Sequence, residues 1–277
     1  MIKLIASDMD GTLLNDRKEL PGDFFEVFDE LERRGIKFTV ASGRSFDAVA
    51  HPFPEEDRER VYPDRHRTRL DFICDNGANV IHEGKQVSVT PLDRQTFEQL
   101  IRACEDIGGL RVLVCAGRGT YHLTADAEFS AEIAKYYKNH IPCDDLLSVD
   151  DVIYKLAVCD MKGTQQHAKP AIDAIFGDRL NVQVSGPIWM DVMGAGVSKG
   201  SALRALGKHL GVSAEDTMAF GDFYNDADML KYAGWSFAME NGNPDIKRMT
   251  RFLARSNNEN GVLRAIRQYA LQEDSIK

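Results

Sequence analysis

The 277-residue sequence lacks any apolar run that approaches the roughly 20 residues needed to span a bilayer. The apolar part of its N-terminus is too short for a signal peptide. Its five cysteines are scattered, odd in number and without a C-x-x-C pair, which favours buried free thiols over metal ligands or disulfides. Internal repeats and low-complexity tracts are also missing. These absences predict a cytoplasmic globular protein.

The chain also carries too little positive charge to favour binding to nucleic acid or to anionic membranes. Its formal net charge of −9 opposes binding to nucleic acid and to anionic membranes. An anionic ligand must therefore be met by local positive groups rather than by the overall field. We expect a small-molecule ligand and neither nucleic-acid nor membrane partners, and the sequence leaves the oligomeric state open.

The order of predicted elements indicates an α/β domain interrupted by a middle unit. A strand, an amphipathic helix and a second strand fill residues 3–41 and indicate a parallel crossover. A charged, proline-rich segment at 51–70 predicts a surface loop to which no role is assigned. The middle stretch mixes short strands that can pair antiparallel with helices, among them one predicted at 127–139. Strand and helix then alternate again after residue 196.

Two carboxylates, Asp8 and Asp10, follow the first predicted strand directly. Open α/β sheets place their ligand sites at this end of their strands, and Gly11 permits a sharp turn after the pair. Such a pair suits a hard cation, and it can also supply a nucleophile and a proton-transfer group. A helix-capping or turn role is the alternative for any D-x-D pair. The longer string D-x-D-G-T is expected by chance at only about 10⁻⁵ per position, which favours the functional interpretation.

A hydroxyl and an ammonium group occur at two further element ends. Ser42 and Gly43 follow the second strand, where a hydroxyl and a closely approaching glycine amide can hold a phosphate oxygen. Ser42 can equally be an N-cap for the next helix. Lys199 begins a later helix, where it can neutralise a phosphoryl oxygen or be an ordinary solvated lysine.

A third predicted strand ends in the string G-D-F-Y-N-D, residues 221–226. Asp222 and Asp226 lie four residues apart, so one helical turn aligns them on one face, where they can complete an oxygen-only Mg²⁺ shell. The alternative is that Asp222 or Asn225 caps the following helix, a role that is compatible with metal binding.

Together these residues resemble the haloacid dehalogenase-like phosphatases. The family's four motifs correspond to D-M-D-G-T at 8–12, A-S-G-R at 41–44, G-V-S-K-G at 196–200 and G-D-F-Y-N-D at 221–226. Residues 75–78 and 257–262 are similar to the Cof-like hydrolase branch. The resemblance implies an α/β fold, with a Rossmann-like parallel-sheet core and an inserted mixed α/β cap domain. Their bounds are 1–82 and 195–277 for the core and 83–194 for the cap.

The resemblance also implies a role for each matching residue. Asp8 is then the nucleophile, and Asp10 is the general acid and later the general base. The phosphoryl group is held by Ser42, Gly43, Lys199 and Asn225. The Mg²⁺ cofactor is held by Asp8, by the backbone carbonyl of Asp10 and by Asp222, with Asp226 in support.

The predicted function is a Mg²⁺-dependent phosphatase that hydrolyses small phosphorylated metabolites, of the sugar phosphate or pyridoxal phosphate class, through an aspartyl phosphate. One alternative is a phosphomutase of sugar phosphates on the same scaffold. Another is a non-catalytic protein that binds phosphate or metal, although such a protein would be expected to have lost Asp8 or Asp10. The sequence does not identify the physiological substrate.

Overall fold

The computed structural model describes residues 1–49, 69–124, 129, 133 and 139–272. Residues 51–68 of the predicted charged loop, and almost all of the predicted helix at 127–139, lie outside these residues. Within the described part of the chain, no helix combines the length and the apolar character needed to cross a membrane.

The chain divides into two compact units. The first contains Met1–Ser42, Val49–Ser88 and Ser198–Lys277, and the second contains Gly43–Ala48 and Val89–Val197.

The first unit is built on an eight-stranded sheet. In spatial order its strands are β14 (Phe252–Ala254), β13 (Trp235–Met239), β12 (Thr217–Gly221), β1 (Leu4–Asp8), β2 (Lys37–Ala41), β3 (Asp71–Cys74), β4 (Asn79–His82) and β5 (Lys85–Val89). The strands from β14 to β3 are parallel, and β4 runs antiparallel to β3. Every residue of β1, β12 and β3 is buried. Such burial is typical of a parallel sheet covered on both faces.

Five helices of the first unit bury apolar stripes or carry site residues. They are α1 (Phe24–Arg33), α5 (Lys199–Leu210), α6 (Ala227–Tyr232), α7 (Pro244–Met249) and α8 (Gly261–Tyr269). In α1 the buried residues recur at helical spacing. Helix α5 begins at Ser198, whose hydroxyl accepts a hydrogen bond from the Ser201 amide, and it ends at the left-handed Gly211.

The second unit is built on a separate six-stranded sheet. Its spatial order is β10 (Leu180–Val184), β11 (Trp189–Gly194), β9 (Ile153–Asp160), β6 (Leu110–Ala116), β7 (Gly119–Leu123) and β8 (His140–Cys143). All of these pairs are antiparallel except β7 with β8. Helices α3 (Arg94–Ile107) and α4 (Ala168–Phe176) contribute Phe97, Leu100 and Ile172 to its core, and the short helix α2 (Phe46–Val49) follows β2 along the chain.

The structure confirms the predicted α/β fold class, with a parallel-sheet core and a mixed α/β unit inserted in the chain. The division of the chain differs from the predicted domain bounds. A boundary at residue 83 separates β4 from β5, whereas the two strands are neighbours in one sheet. They are joined at Glu83 and Gly84, both with positive φ, as a tight two-residue hairpin requires. The structural boundaries therefore fall at Val89 and Ser198.

Candidate active site

The candidate site lies where neighbouring parallel strands of the first unit end. Asp8 is the last residue of β1, which pairs with β2 on one side and with β12 on the other. Ser42 follows β2, and Asp222 follows β12. Because parallel strands deliver their carboxyl ends to the same sheet edge, three distant parts of the sequence converge there.

A fully buried lysine lies between two of the carboxylates. The Lys199 Nζ atom is 2.6 Å from Asp8 Oδ1 and 2.7 Å from Asp226 Oδ1. Burial lowers the pKa of Lys199, but the negative charges of Asp226 and Asp8 outweigh this effect and raise the pKa above its usual value. Lys199 is therefore an ammonium ion at neutral pH, and its positive charge is held between Asp8 and Asp226.

The carboxylates themselves are held under electrostatic strain. Burial raises the pKa of Asp8 well above its usual value, and Asp226 and Asp222 raise it further, while Lys199 lowers it. Burial and the charge of Asp226 raise the pKa of Asp222 to about 6, against the lowering effects of Lys199 and Thr12. One ammonium thus does not balance the acidic groups around it.

The excess negative charge of these carboxylates favours binding of a cation. Asp8, Asp222 and Asp226 each place a carboxylate oxygen within 4.8 Å of the others. Oxygen ligands and excess negative charge are the donor set of a hard divalent cation such as Mg²⁺. The residues present therefore fit the metal that the resemblance implies.

Asp226 also has a structural task. Its Oδ2 atom accepts hydrogen bonds from the backbone amides of Asp222 and Phe223, at 3.0 and 3.1 Å, while its Oδ1 atom contacts Lys199. A side chain at Gly221 would collide with Asp226, whose Cβ lies 2.5 Å from an ideal Cβ there. Asp226 thus shapes the loop that presents Asp222.

Asp10 lies outside this buried cluster. Its carboxylate is about one-third exposed and forms an ion pair with Lys18 at 2.8 Å. Gly11, with φ of 83°, allows Asp222 to approach, because a Cβ there would lie 2.6 Å from Asp222 Oδ2. The predicted contribution of Asp10 to the metal site is through its backbone, so an outward-facing side chain is consistent with that prediction.

The predicted phosphate-binding residues fall into two groups. Ser42 is 2% exposed, and its backbone amide donates to Ile73 at 2.8 Å. Asn225 lies in the loop after β12, one residue before Asp226. Gly43, by contrast, groups with the second unit, where its carbonyl accepts a hydrogen bond from the buried Lys155 at 2.8 Å.

A set of asparagines supports the loop after Asp10, and the sequence did not predict this role. Asn241 donates to the Gly11 carbonyl at 2.8 Å, and Asn257 donates to the Leu14 carbonyl at 3.0 Å. The backbone amide of Asn257 in turn donates to the side chain of Asn241 at 3.0 Å. The asparagine-rich string at 257–260 was the only hint of this role in the sequence. The carbonyl that Asn257 contacts lies more than 240 positions away, so the pairing was not predictable.

Replacing Lys199 tests the electrostatic arrangement. Lys199→Ala leaves the buried Asp8 and Asp226 without their counter-charge, so we expect a loss of about 3–5 kcal/mol in the free energy of unfolding near neutral pH. The deficit should shrink as the pH falls, because the Asp8 carboxyl, whose pKa is raised by burial, then takes up a proton in place of the ammonium contact. Urea denaturation at neutral and at acidic pH measures this difference in the free energy of unfolding. The exposed Lys208→Ala, on the same helix, is the control, and a deficit independent of pH would contradict the arrangement.

Comparison with known proteins gives matches over nearly the whole chain. A family model of haloacid dehalogenase-like hydrolases matches residues 5–266. The chain is 30% identical to the 5-amino-6-(5-phospho-D-ribitylamino)uracil phosphatase YbjI of Escherichia coli, over 96% of this chain and 95% of that protein. It is 27% identical to an HMP-PP phosphatase of Klebsiella pneumoniae, over 89% of this chain and 87% of that protein.

Solved structures give the same result for the fold. The chain is similar to SMU.1108c of Streptococcus mutans, with a TM-score of 0.85 and 26% identity over 98% of this chain and all of that one. A haloacid dehalogenase-like hydrolase of Bacteroides thetaiotaomicron shares the fold, with a TM-score of 0.81 and 23% identity over 97% and 99% of the two chains. The predicted phosphoric monoester hydrolase activity is confirmed. The chain belongs to the haloacid dehalogenase-like hydrolase family.

Proposed function

We propose that this protein is a Mg²⁺-dependent phosphatase that hydrolyses small phosphorylated metabolites through a phosphorylated Asp8. The observation that carries the proposal is the buried contact of Asp8 with Lys199, beside Asp222 and Asp226. A carboxylate at a strand end, paired with an ammonium and adjacent to a cation-binding set, has what a nucleophile needs for attack on an anionic phosphate ester.

The residues of the site divide between binding of Mg²⁺ and binding of the phosphoryl group. Asp8, Asp222 and the backbone carbonyl of Asp10 would hold Mg²⁺, with Asp226 in support. When bound, the cation offsets the repulsion between the Asp8 carboxylate and the anionic substrate. Lys199 adds positive charge on the phosphoryl oxygens, which are also held by Ser42, Gly43 and Asn225.

The reaction proceeds in two displacements. An Asp8 carboxylate oxygen attacks phosphorus, the bond from phosphorus to the ester oxygen breaks, and Asp10 gives its proton to the departing alcohol. Asp10, now ionised, takes a proton from a water molecule, whose oxygen attacks the same phosphorus. The bond between phosphorus and the Asp8 oxygen breaks, inorganic phosphate leaves, and both carboxyls return to their starting states. Before the first displacement, Asp10 must leave its ion pair with Lys18, take up a proton and contact the ester oxygen of the substrate.

The relatives support the substrate class. One is named for a phosphorylated ribitylaminouracil and another for HMP-PP. We therefore propose small phosphorylated compounds as substrates, with sugar phosphates and pyridoxal phosphate as the first to test.

A screen of phosphate monoesters, with Mg²⁺ present and after chelation, tests the proposal. We expect release of inorganic phosphate that depends on Mg²⁺. Conversion of a sugar phosphate to its isomer without phosphate release would instead identify a phosphomutase. Phosphate or metal binding without turnover of any ester would identify a non-catalytic protein.

Asp8→Asn removes the proposed nucleophile. Turnover should fall by several orders of magnitude, because a neutral amide cannot form the acyl phosphate. The rate of phosphate release by the purified variant measures this loss, and Asp228→Asn on the exposed side of α6 is the matched control. Near-normal turnover by Asp8→Asn, free of contaminating phosphatase, would refute the covalent mechanism.

Asp10→Asn separates proton transfer from nucleophilic attack. The rate should fall most for sugar phosphates, whose alkoxide leaving groups need a proton, and less for p-nitrophenyl phosphate, whose leaving group needs little protonation. Single-turnover rates for both esters provide the measurement. Equal losses under conditions where phosphorylation limits the rate would exclude Asp10 as the acid.

Cation binding should depend on pH through Asp222. Its pKa is raised to about 6 in the metal-free protein, so below that pH a proton increasingly occupies the carboxylate and competes with Mg²⁺. The apparent affinity for Mg²⁺ should therefore fall as the pH decreases through about 6. Titration calorimetry across this range measures the affinity. A pH-independent affinity would show that Asp222 is not a ligand.

A further inference from the structure

A buried turn after β3 has an unusual backbone. Asp75, Asn76 and Gly77 follow one another with φ values of 51°, 53° and 105°. The two non-glycine residues are each 1% exposed. Left-handed conformations are disfavoured for residues other than glycine, although Asn and Asp tolerate them best. Such strain persists where the surrounding structure enforces it, and it is concentrated at functional sites.

The turn holds the main chain of Ser42. The Asn76 backbone amide donates to the Ser42 carbonyl at 3.0 Å. The Ser42 amide donates in turn to the carbonyl of Ile73 in β3 at 2.8 Å. Both backbone polar groups of Ser42 are therefore bound to β3 and its turn, which fixes the position of the Cα–Cβ bond that carries the Ser42 hydroxyl.

The side chain of Asn76 contacts another element of the site. Its Oδ1 atom accepts a hydrogen bond from Asn225 Nδ2 at 3.2 Å, across 149 positions of sequence. Because an amide group is planar, this bond also sets the direction of the second Nδ2 hydrogen of Asn225. That hydrogen is a donor suited to a phosphoryl oxygen.

Gly77 brings the same turn against the start of α5. A side chain at Gly77 would overlap the carbonyl oxygen of Ser198 and would lie 3.1 Å from the Lys199 amide nitrogen. Only glycine permits this approach. The turn at residues 75–77 therefore contacts the backbone of Ser42, the side chain of Asn225 and the helix end that carries Lys199.

We propose that Asn76 is a positioning residue of the phosphate site. Its backbone amide aligns Ser42, and its side-chain carbonyl orients Asn225 for a phosphoryl oxygen. The inference deepens the proposed function and rests on the assignment of Ser42, Lys199 and Asn225 to the phosphoryl group. Asn76 acts through Asn225 and does not itself take part in the chemistry.

Asn76→Gly tests the proposal, because glycine keeps the left-handed backbone and removes only the side chain. With Asn225 no longer oriented, the inhibition constant for inorganic phosphate and the KM for a phosphate ester should each rise about fivefold, the loss typical of one neutral hydrogen bond. Mg²⁺ affinity should stay unchanged. Asn260→Gly is the matched control, because Asn260 has a similar φ of 57° and is exposed, and it should leave both constants unchanged.

A double-mutant cycle separates positioning from a general structural role. In an Asn225→Ala background, Asn76→Gly should have no further effect on phosphate inhibition, because the hydrogen bond is already absent. The same fivefold loss in both backgrounds, or no loss in either, would overturn the proposal.

Asn76→Asp covers the case in which the glycine variant does not fold. It retains a residue that tolerates the left-handed conformation, and it adds a negative charge that repels the phosphoryl oxygens, so phosphate inhibition should weaken more than fivefold. Unchanged inhibition would overturn the proposal. Asp8→Asn distinguishes failure of the proposed function from failure of this inference. Turnover by Asp8→Asn would refute the covalent mechanism, and with it the site that Asn76 is proposed to position. Loss of turnover in Asp8→Asn, together with unchanged phosphate constants for the Asn76 variants, would refute this inference alone.

Discussion

The buried ion pairs of Lys199 are the interaction on which the first unit depends. A lysine without solvent exposure is unfavourable unless opposite charges surround it, and Asp8 and Asp226 supply them at 2.6 and 2.7 Å. These contacts join β1, α5 and the loop after β12. The ammonium that stabilises the buried carboxylates therefore also lies where an anionic group would contact Asp8.

The carboxylates of the site carry more negative charge than the nearby ammonium neutralises. Asp8, Asp222 and Asp226 surround one ammonium, and the pKa values of Asp8 and Asp222 are raised as a result. A divalent cation would relieve this repulsion. Cation binding should thus raise the stability of the fold, since the carboxylates that would bind the cation are those that repel one another without it.

The sequence predicted the parts of this arrangement that are encoded locally. Asp8 and Asp222 lie at the ends of apolar strands, as predicted, and the parallel sheet brings such ends together. Contacts between distant segments were not predictable, because the bond from Asn225 to Asn76 depends on the completed fold. The predicted boundary near residue 83 differs from the division at Val89, because hairpin pairing with β4, which the pattern of β5 does not show, joins β5 to the first sheet.

The position of β1 in the sheet has a consequence for the protein during its synthesis. Of the strands in this sheet β1 is synthesised first, and it pairs with β2 soon afterwards, but its other neighbour, β12, begins at Thr217. A nascent chain therefore carries a mostly apolar strand with one unpaired edge until the residues of β12 have been translated. Unpaired apolar edges recruit other chains. The interval before Thr217 is thus the period in which this edge of β1 is open to pairing with other chains.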